Sequence, residues 1–358
     1  MFYGLFEDKT KVSFSSFVDY ALYSSKGFYN KHSTISKEGD FLTSPSISKI
    51  YAQTIVNFLI SNGFRDHILI NDKLESLKDE INLIELGSNE GILMKDVVDF
   101  IKAFWESEIY KKIKIIVIEK NVNLHKKIFK NLEEHQHKLT ILNNLDEVNC
   151  KPKNAVVFCN EFFDALPFER CVIKNNKLYQ INLKLKDKEF VELIDPADDF
   201  IDKKFAEYNL NFANDIFFEF PVVEYEKYFY LLSQKFSKIF FLINDYGDKS
   251  NYFHTTPDPF GTSRCFFNHS VNRNFYKNIF DQDITCDVNF SLLSLVAKKF
   301  NFIEDSFSTQ TRFFLDNEWT STPAFRELST LGAEGTNIYK LIHPNAMGER
   351  FKFISFKF

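Results

Sequence analysis

The stretch from residue 80 to residue 160 most constrains this chain. Apolar runs of strand length alternate there with segments of helical spacing. The residues predict strands over Asn82–Leu86, Lys114–Glu119, Leu139–Leu142 and Ala155–Asn160, and helices over Gly91–Trp105 and Asn121–Glu133. Strands separated by helices of this length predict an α/β fold: a parallel sheet with helices on both faces and right-handed crossovers.

The flanking regions follow other patterns. Ser13–Tyr23 carries Phe14, Phe17, Val18, Ala21 and Leu22 at helical spacing, and a second helix is expected over Ile47–Asn62. Residues 1–79 thus form a helical N-terminal segment, a lid, ahead of a first core part over 80–167. After Pro167 the alternation stops. Arg170–Ile181 and Lys188–Leu193 predict a hairpin with polar turns such as Lys174-Asn175-Asn176, and residues 195–220 are expected to be irregular. With the helix Val222–Phe236 they make an α+β insertion over 168–237. The core resumes over 238–358. Ile239–Tyr246 and Phe351–Phe358 are expected strands, Phe290–Lys299 and Phe325–Leu331 helices, and Phe302–Glu304 and Thr309–Leu315 strand-like.

Composition excludes several classes. The chain has 358 residues, 44 Lys+Arg against 49 Asp+Glu, and a net charge of −5. Mild acidity argues against nonspecific nucleic-acid binding. The longest apolar runs, such as Ile113–Glu119, fall far short of the about 20 residues a spanning helix needs. Met1–Asp8 lacks a basic region followed by an apolar block, so no secretory leader is expected. Five cysteines without a CxxC pair predict reduced thiols and a cytoplasmic setting. His135 and His137 are two apart and do not share a helix face, and no zinc spacing is present. The 43 phenylalanines are the oddity. Most fall at core-periodic positions, but Phe200, Phe205, Phe212, Phe217, Phe218 and Phe220 cluster in the insertion, where they predict a surface for a protein partner.

Three motifs could carry chemistry. Ile84-Glu85-Leu86-Gly87-Ser88-Asn89-Glu90-Gly91 ends a strand and opens a helix, where glycines allow close backbone approach and a helix N-terminus offers free N–H groups. Such turns also close ordinary strand–helix corners. Glu119 ends the next strand, where an acceptor-only carboxylate can take both hydroxyls of a ribose; a surface Glu is the plainer alternative. Together they suit an adenosine cofactor of the S-adenosylmethionine type better than NAD, because the GxGxxG fingerprint is missing. Third, Asn160–Pro167 places Glu161 and Asp164 after the fourth strand, as an acidic wall or as a cap followed by a buried Phe pair.

Asn160–Pro167, read as Asn-Glu-Phe-Phe-Asp-Ala-Leu-Pro, resembles the signature of the MidA/NDUFAF7-like S-adenosylmethionine-dependent methyltransferases. The likeness is collinear along nearly the whole chain. Gly27-Phe28-Tyr29 and Gly39-Asp40-Phe41-Leu42-Thr43-Ser44-Pro45 resemble that family's N-terminal motifs. Asp245-Tyr246-Gly247 resembles its DYG, Gly261-Thr262 with Arg264 and His269 its GTxRxYxxH segment, and Asp283-Ile284-Thr285 with Asp287–Phe290 its DITAHVDF. Phe266 stands where that family has Tyr. The glycine turn also departs from its ELGPGRGTL pattern: Ser88 replaces the proline and Asn89 the middle glycine.

The resemblance implies a Rossmann-like class I methyltransferase sheet and S-adenosyl-L-methionine as cofactor. It implies a pocket of Glu85, Gly87, Asn89, Gly91, Glu119 and Asn160, with Gly39, Thr43, Ser44 and Pro45 as a lid segment. The alternative for that segment is a turn with Ser46 capping the second helix. A guanidinium acceptor would be gripped by carboxylates, so Glu161 and Asp164 are the candidate catalytic residues, with Asp245 and His269 as further wall residues or loop-fixing partners. Arg264 would bind a substrate acid or pair with a nearby Asp. The implied reaction is methylation of a protein, on arginine, linked to assembly of respiratory complex I, so a complex I subunit is the expected partner. A homo-oligomer is compatible with the chain. A non-catalytic assembly factor that keeps the fold is the competing function, and Asn89 is the residue that favours it.

Overall fold

A computed structural model describes residues 3–6, 9–31, 44–69, 80–105, 109–149, 154–210, 212–249, 258, 260–331 and 335–358. The chain divides into two compact units, each built from interleaved segments. One comprises Thr34–Phe162, Tyr228–Tyr246 and Ala297–Phe358; the other comprises Met1–Ser33, Phe163–Lys227 and Gly247–Val296. The N-terminal 79 residues are therefore shared between the two.

The first unit holds the large sheet. Its strands are β1 (Ile81–Leu86), β2 (Ile113–Ile118), β3 (Leu139–Leu142), β4 (Asn154–Asn160), β5 (Lys238–Asp248), β6 (Ile303–Thr309) and β7 (Phe351–Lys357), in the spatial order β3-β2-β1-β4-β5-β7-β6. All neighbours are parallel except those of β7, which is antiparallel to both β5 and β6. β1 is buried along its whole length, Asn82 and Glu85 included, and β4 is buried over Ala155–Cys159, as strands covered on both faces are. The helix Lys49–Phe58 begins at Ser48, whose hydroxyl accepts the Ile50 N–H; this cap is Ser48 rather than Ser46. It packs with Ile92–Trp105 over one core that includes Ile55, Val97, Ile101, Val117, Val156, Phe240 and Phe353. On β5, Phe241 meets Phe229, which also packs edge-on against Phe302 and Phe356.

Further local expectations fail in both units. Thr309–Leu315 is not extended throughout. Thr309 ends β6 and its hydroxyl caps the helix Gln310–Asp316, which buries Phe313 and Phe314. Residues 195–220 are not irregular either. They hold the helix Asp199–Glu207, capped by Asp198, and the strand Phe217–Phe220.

The second unit contains an antiparallel sheet of Val12–Ser13, Glu169–Lys174, Lys177–Lys186, Glu189–Pro196 and Phe217–Phe220, and a smaller one of Arg264–Phe267, Ser270–Asn272 and Asp283–Thr285. The single expected hairpin is two hairpins in series. Their turns fall at Asn175-Asn176 and Asp187-Lys188, all four residues having positive φ, as tight hairpin turns require. The phenylalanine cluster is a small core and not a surface: Phe212 stacks on Phe218 at 3.8 Å, and Phe205 meets Phe212, Phe218 and Phe220. Phe212, Phe218 and Phe220 are buried, and only Phe200 of the six is exposed. At Gly247 (φ +146°) a Cβ would lie 2.1 Å from the Val288 carbonyl oxygen, so the glycine of Asp245-Tyr246-Gly247 is demanded by the pairing with Val288.

Candidate cofactor and acceptor site

The strand order reverses between β1 and β4. In open α/β sheets the crevice beyond the carboxyl ends at such a reversal is where ligands bind. The glycine turn leaves β1 at this edge. Gly87, Asn89 and Gly91 have φ of +70°, +50° and +77°. Packing alone explains much of this. A Cβ on Gly87 would stand 2.5 Å from the Phe162 ring, and one on Gly91 would stand 3.2 Å from the Ile128 side chain. Asn accepts the left-handed region more readily than most residues, so the turn forms with Asn89 in place of a glycine.

Glu119 follows β2 and is half-buried. Its Oε2 accepts the Asn89 N–H at 2.7 Å and its Oε1 the Asn121 N–H at 2.9 Å. Burial raises its carboxyl above the ordinary range, against the lowering effect of those two donors. Each oxygen retains a lone pair, so two vicinal hydroxyls could be accepted together. Glu85 is more deeply buried and bonds the turn itself: the Ser88 hydroxyl donates to its Oε2 at 2.6 Å, and the Met94 N–H also reaches it. Burial pushes Glu85 up to about 8, with the nearby Glu119 charge adding to the rise.

At the end of β4, Asn160 donates through Nδ2 to Glu161 Oε1 at 3.0 Å. Glu161 has φ +49°, a conformation that costs a non-glycine residue energy and is found where structure holds it in place. Its N–H is held by the Asn244 carbonyl at 2.9 Å. Asp245 is fully buried on β5. Its Oδ2 accepts the Phe162 N–H at 3.1 Å and its Oδ1 the Tyr246 N–H at 2.9 Å. Both of its oxygens therefore fix backbone. Ser44 and Pro45 open the short helix Ser44–Ile47, and the buried Ser44 hydroxyl lies 3.9 Å from the Met347 sulfur. Gly39 and Thr43 fall outside the described residues.

The second unit holds the other two acceptor candidates. Asp164 is buried, and its carbonyl accepts the Cys286 N–H at 3.2 Å. Near it, Asp283 accepts the Tyr29 hydroxyl at 3.0 Å. Burial first, and the Asp164 charge second, push Asp283 up to about 7. Tyr29 stacks on Tyr23, whose hydroxyl donates to the Ala165 carbonyl at 2.8 Å. His269 sits at φ +59° in the exposed turn between Arg264–Phe267 and Ser270–Asn272. Arg264 pairs with Asp287 at 2.5 Å, which is the structural of its two expected roles.

Sequence reasoning missed two participants. Tyr51 lies on the buried face of Lys49–Phe58, with its hydroxyl 2.5 Å from Asn160 Oδ1 and 2.7 Å from Asn244 Oδ1. A tyrosine on an apolar helix face was the available signal, since a buried phenol needs a partner. Asp283 was visible only as part of a motif, because nothing local announces its neighbour Asp164.

A sheet with this strand order, an antiparallel β7, a glycine turn after β1 and an acidic residue after β2 defines a class I S-adenosylmethionine-dependent methyltransferase fold. Residues 68–304 match the family model described as "Putative S-adenosyl-L-methionine-dependent methyltransferase", and the chain belongs to that family, whose cofactor is S-adenosyl-L-methionine. The fold is shared with a COG1565 superfamily member from Burkholderia thailandensis bound to S-adenosyl-homocysteine. That structure is 19% identical, with 98% of this chain and 88% of that chain covered and a TM-score of 0.79. A second COG1565 structure from the same organism gives 19% identity, the same coverage and a TM-score of 0.78.

Proposed function

We propose that the chain binds S-adenosyl-L-methionine in the unit carrying the large sheet and transfers its methyl group to a protein, at an arginine nitrogen. The observation that carries the cofactor half is the hydrogen bond from Asn89 N–H to Glu119: it joins the turn after β1 to the carboxylate after β2, the two places where an adenosine would rest. Glu119 would hold the ribose hydroxyls, with Gly87, Asn89, Gly91 and Asn160 along the same edge. Glu85 supports the turn through Ser88. The cofactor supplies an electrophilic methyl on a sulfonium. The protein's own task is to align the acceptor and exclude water.

The acceptor half is supported by the carboxylates after β4. Glu161 is the proposed grip for a planar guanidinium, whose N–H fork pairs with a carboxylate in two-point fashion, and Asp164, in the other unit, is a separate candidate for the same role. Either carboxylate would also draw off the proton that the nitrogen loses. Asp245, with both oxygens on backbone N–H groups, is proposed to shape the segment after β4. A complex I subunit remains the proposed partner, on the family resemblance alone. Calorimetric titration with S-adenosyl-homocysteine tests the cofactor half: no binding at millimolar ligand would sink it and leave the non-catalytic assembly factor. Incubation of a cell lysate with methyl-labelled donor tests the acceptor half, with one discrete labelled protein expected.

A further inference from the structure

The carboxyl ends of β4 and β5 carry an arrangement with one proton for two acceptors. Tyr51 is fully buried, as is Asn244, and Asn160 is half-buried. The orientation of both amides is dictated by their other partners. Asn160 must turn Nδ2 toward the Glu161 carboxylate, 3.0 Å away. Asn244 must turn Nδ2 toward the Lys352 carbonyl, 3.1 Å away. Flipping either would set an amide oxygen against an acceptor. Both Oδ1 atoms therefore face the Tyr51 hydroxyl, at 2.5 and 2.7 Å. Burial, with the surrounding Glu161 and Asp245 charges, raises the Tyr51 hydroxyl well above its usual pKa, so its proton stays in place to be donated.

We propose that Tyr51 is a positioning residue: by donating to Asn160 Oδ1 it locks the amide that in turn orients Glu161. The relay runs from Tyr51 hydroxyl to Asn160 amide to Glu161 carboxylate, and it ends on a residue held at φ +49°. The same hydroxyl reaches Asn244, whose carbonyl holds the Glu161 N–H. One phenol thus touches both groups that fix Glu161, its side-chain donor and its backbone acceptor. The single phenol proton is donated to one of the two amide oxygens at a time, and a phenylalanine would fill the same space without it. The inference rests on the proposed function only for the consequence that Glu161 faces a ligand; the relay itself can be read without one.

The test compares the full-length protein with Tyr51→Phe. The side-chain amide resonance of Asn160 is identified by its loss in Asn160→Asp. In the wild type it should be resolved and slow to exchange with solvent. In Tyr51→Phe its exchange should quicken by about tenfold or more, as expected for losing a buried hydrogen bond. Substituting Phe at Tyr20 instead should leave it unchanged. An Asn160 amide unaffected by Tyr51→Phe would overturn the proposal, because a tyrosine that merely fills space would give that result. Methyl labelling of the lysate protein, which reads the acceptor side that Glu161 serves, then adds a double-mutant cycle. Tyr51→Phe should slow labelling about tenfold in the wild-type background but under about twofold when Asn160 is already Ala. Equal losses in both backgrounds would also overturn the relay. A wild type that shows the slow amide but binds no S-adenosyl-homocysteine would overturn the cofactor reading and leave the relay standing.

Discussion

The backbone N–H of Asn89 donates to the carboxylate of Glu119 at 2.7 Å. The residue that breaks the expected glycine pattern is thus the one that links the turn to the proposed ribose-binding carboxylate. Its left-handed φ of +50° is part of the turn that presents this N–H.

Glu119→Ala should therefore weaken S-adenosyl-homocysteine binding by tenfold or more, since hydrogen bonds to a charged acceptor contribute about 1.5–3 kcal/mol. Calorimetry reads this directly, with circular dichroism checking that the fold survives. Unchanged affinity would remove the ribose assignment.

Asn89→Gly should keep the fold, with a stability change within about 1 kcal/mol, because glycine accepts the same φ at an entropic cost. Gly87→Ala should cost more, about 1–3 kcal/mol. Its new Cβ meets both a left-handed backbone and the Phe162 ring at 2.5 Å. Urea midpoints of the two variants should separate clearly.

Stability should fall as pH rises through neutrality. Glu85 is pushed from 4.5 up to about 8 by burial, so the folded protein keeps a proton that the unfolded chain releases. Its contribution is complete below about pH 4.5 and is lost as pH climbs through about 8, at up to about 1.4 kcal/mol per pH unit. Asp283 and Glu169, both raised by burial to about 7, act in the same direction up to that pH. The urea midpoint should decline from pH 5 to pH 8. In Glu85→Gln the decline should be shallower, and an identical slope would show that Glu85 is not its source.

Phe218→Ala should destabilise the second unit by about 3–5 kcal/mol, because it removes a buried ring stacked on Phe212. Phe200→Ser, at an exposed position, should stay within about 0.5 kcal/mol. The reverse ranking would restore the cluster as a partner surface.

Asp164→Asn should abolish methyl labelling of a lysate protein while leaving S-adenosyl-homocysteine affinity within about twofold of the wild type, because the proposed Asp164 contacts are with the acceptor. Labelling that persists at the wild-type rate would take Asp164 out of the acceptor grip.

The chain's own residues determined the parallel core. Strand and helix periodicities are local, so Ile81–Leu86, Ile92–Trp105 and Ile113–Ile118 could be read to within a residue or two. The turn Gly87–Gly91 and Glu119 were legible for the same reason: a strand end followed by a helix start places them at one sheet edge. The hydroxyl of Thr309 was a weaker signal, and the helix it caps looked like a strand from its aromatic residues. Tertiary structure alone decided the rest. Asp283 acquires its raised pKa from burial beside Asp164, far away in the chain. The phenylalanines of the insertion became a core because Phe205, Phe212 and Phe218 meet one another. Tyr51 meets Asn160 and Asn244 only when a helix and two strands converge. Local pattern tells a segment which shape to take. Which donor faces which acceptor, and at what cost in desolvation, depends on partners that the segment does not contain.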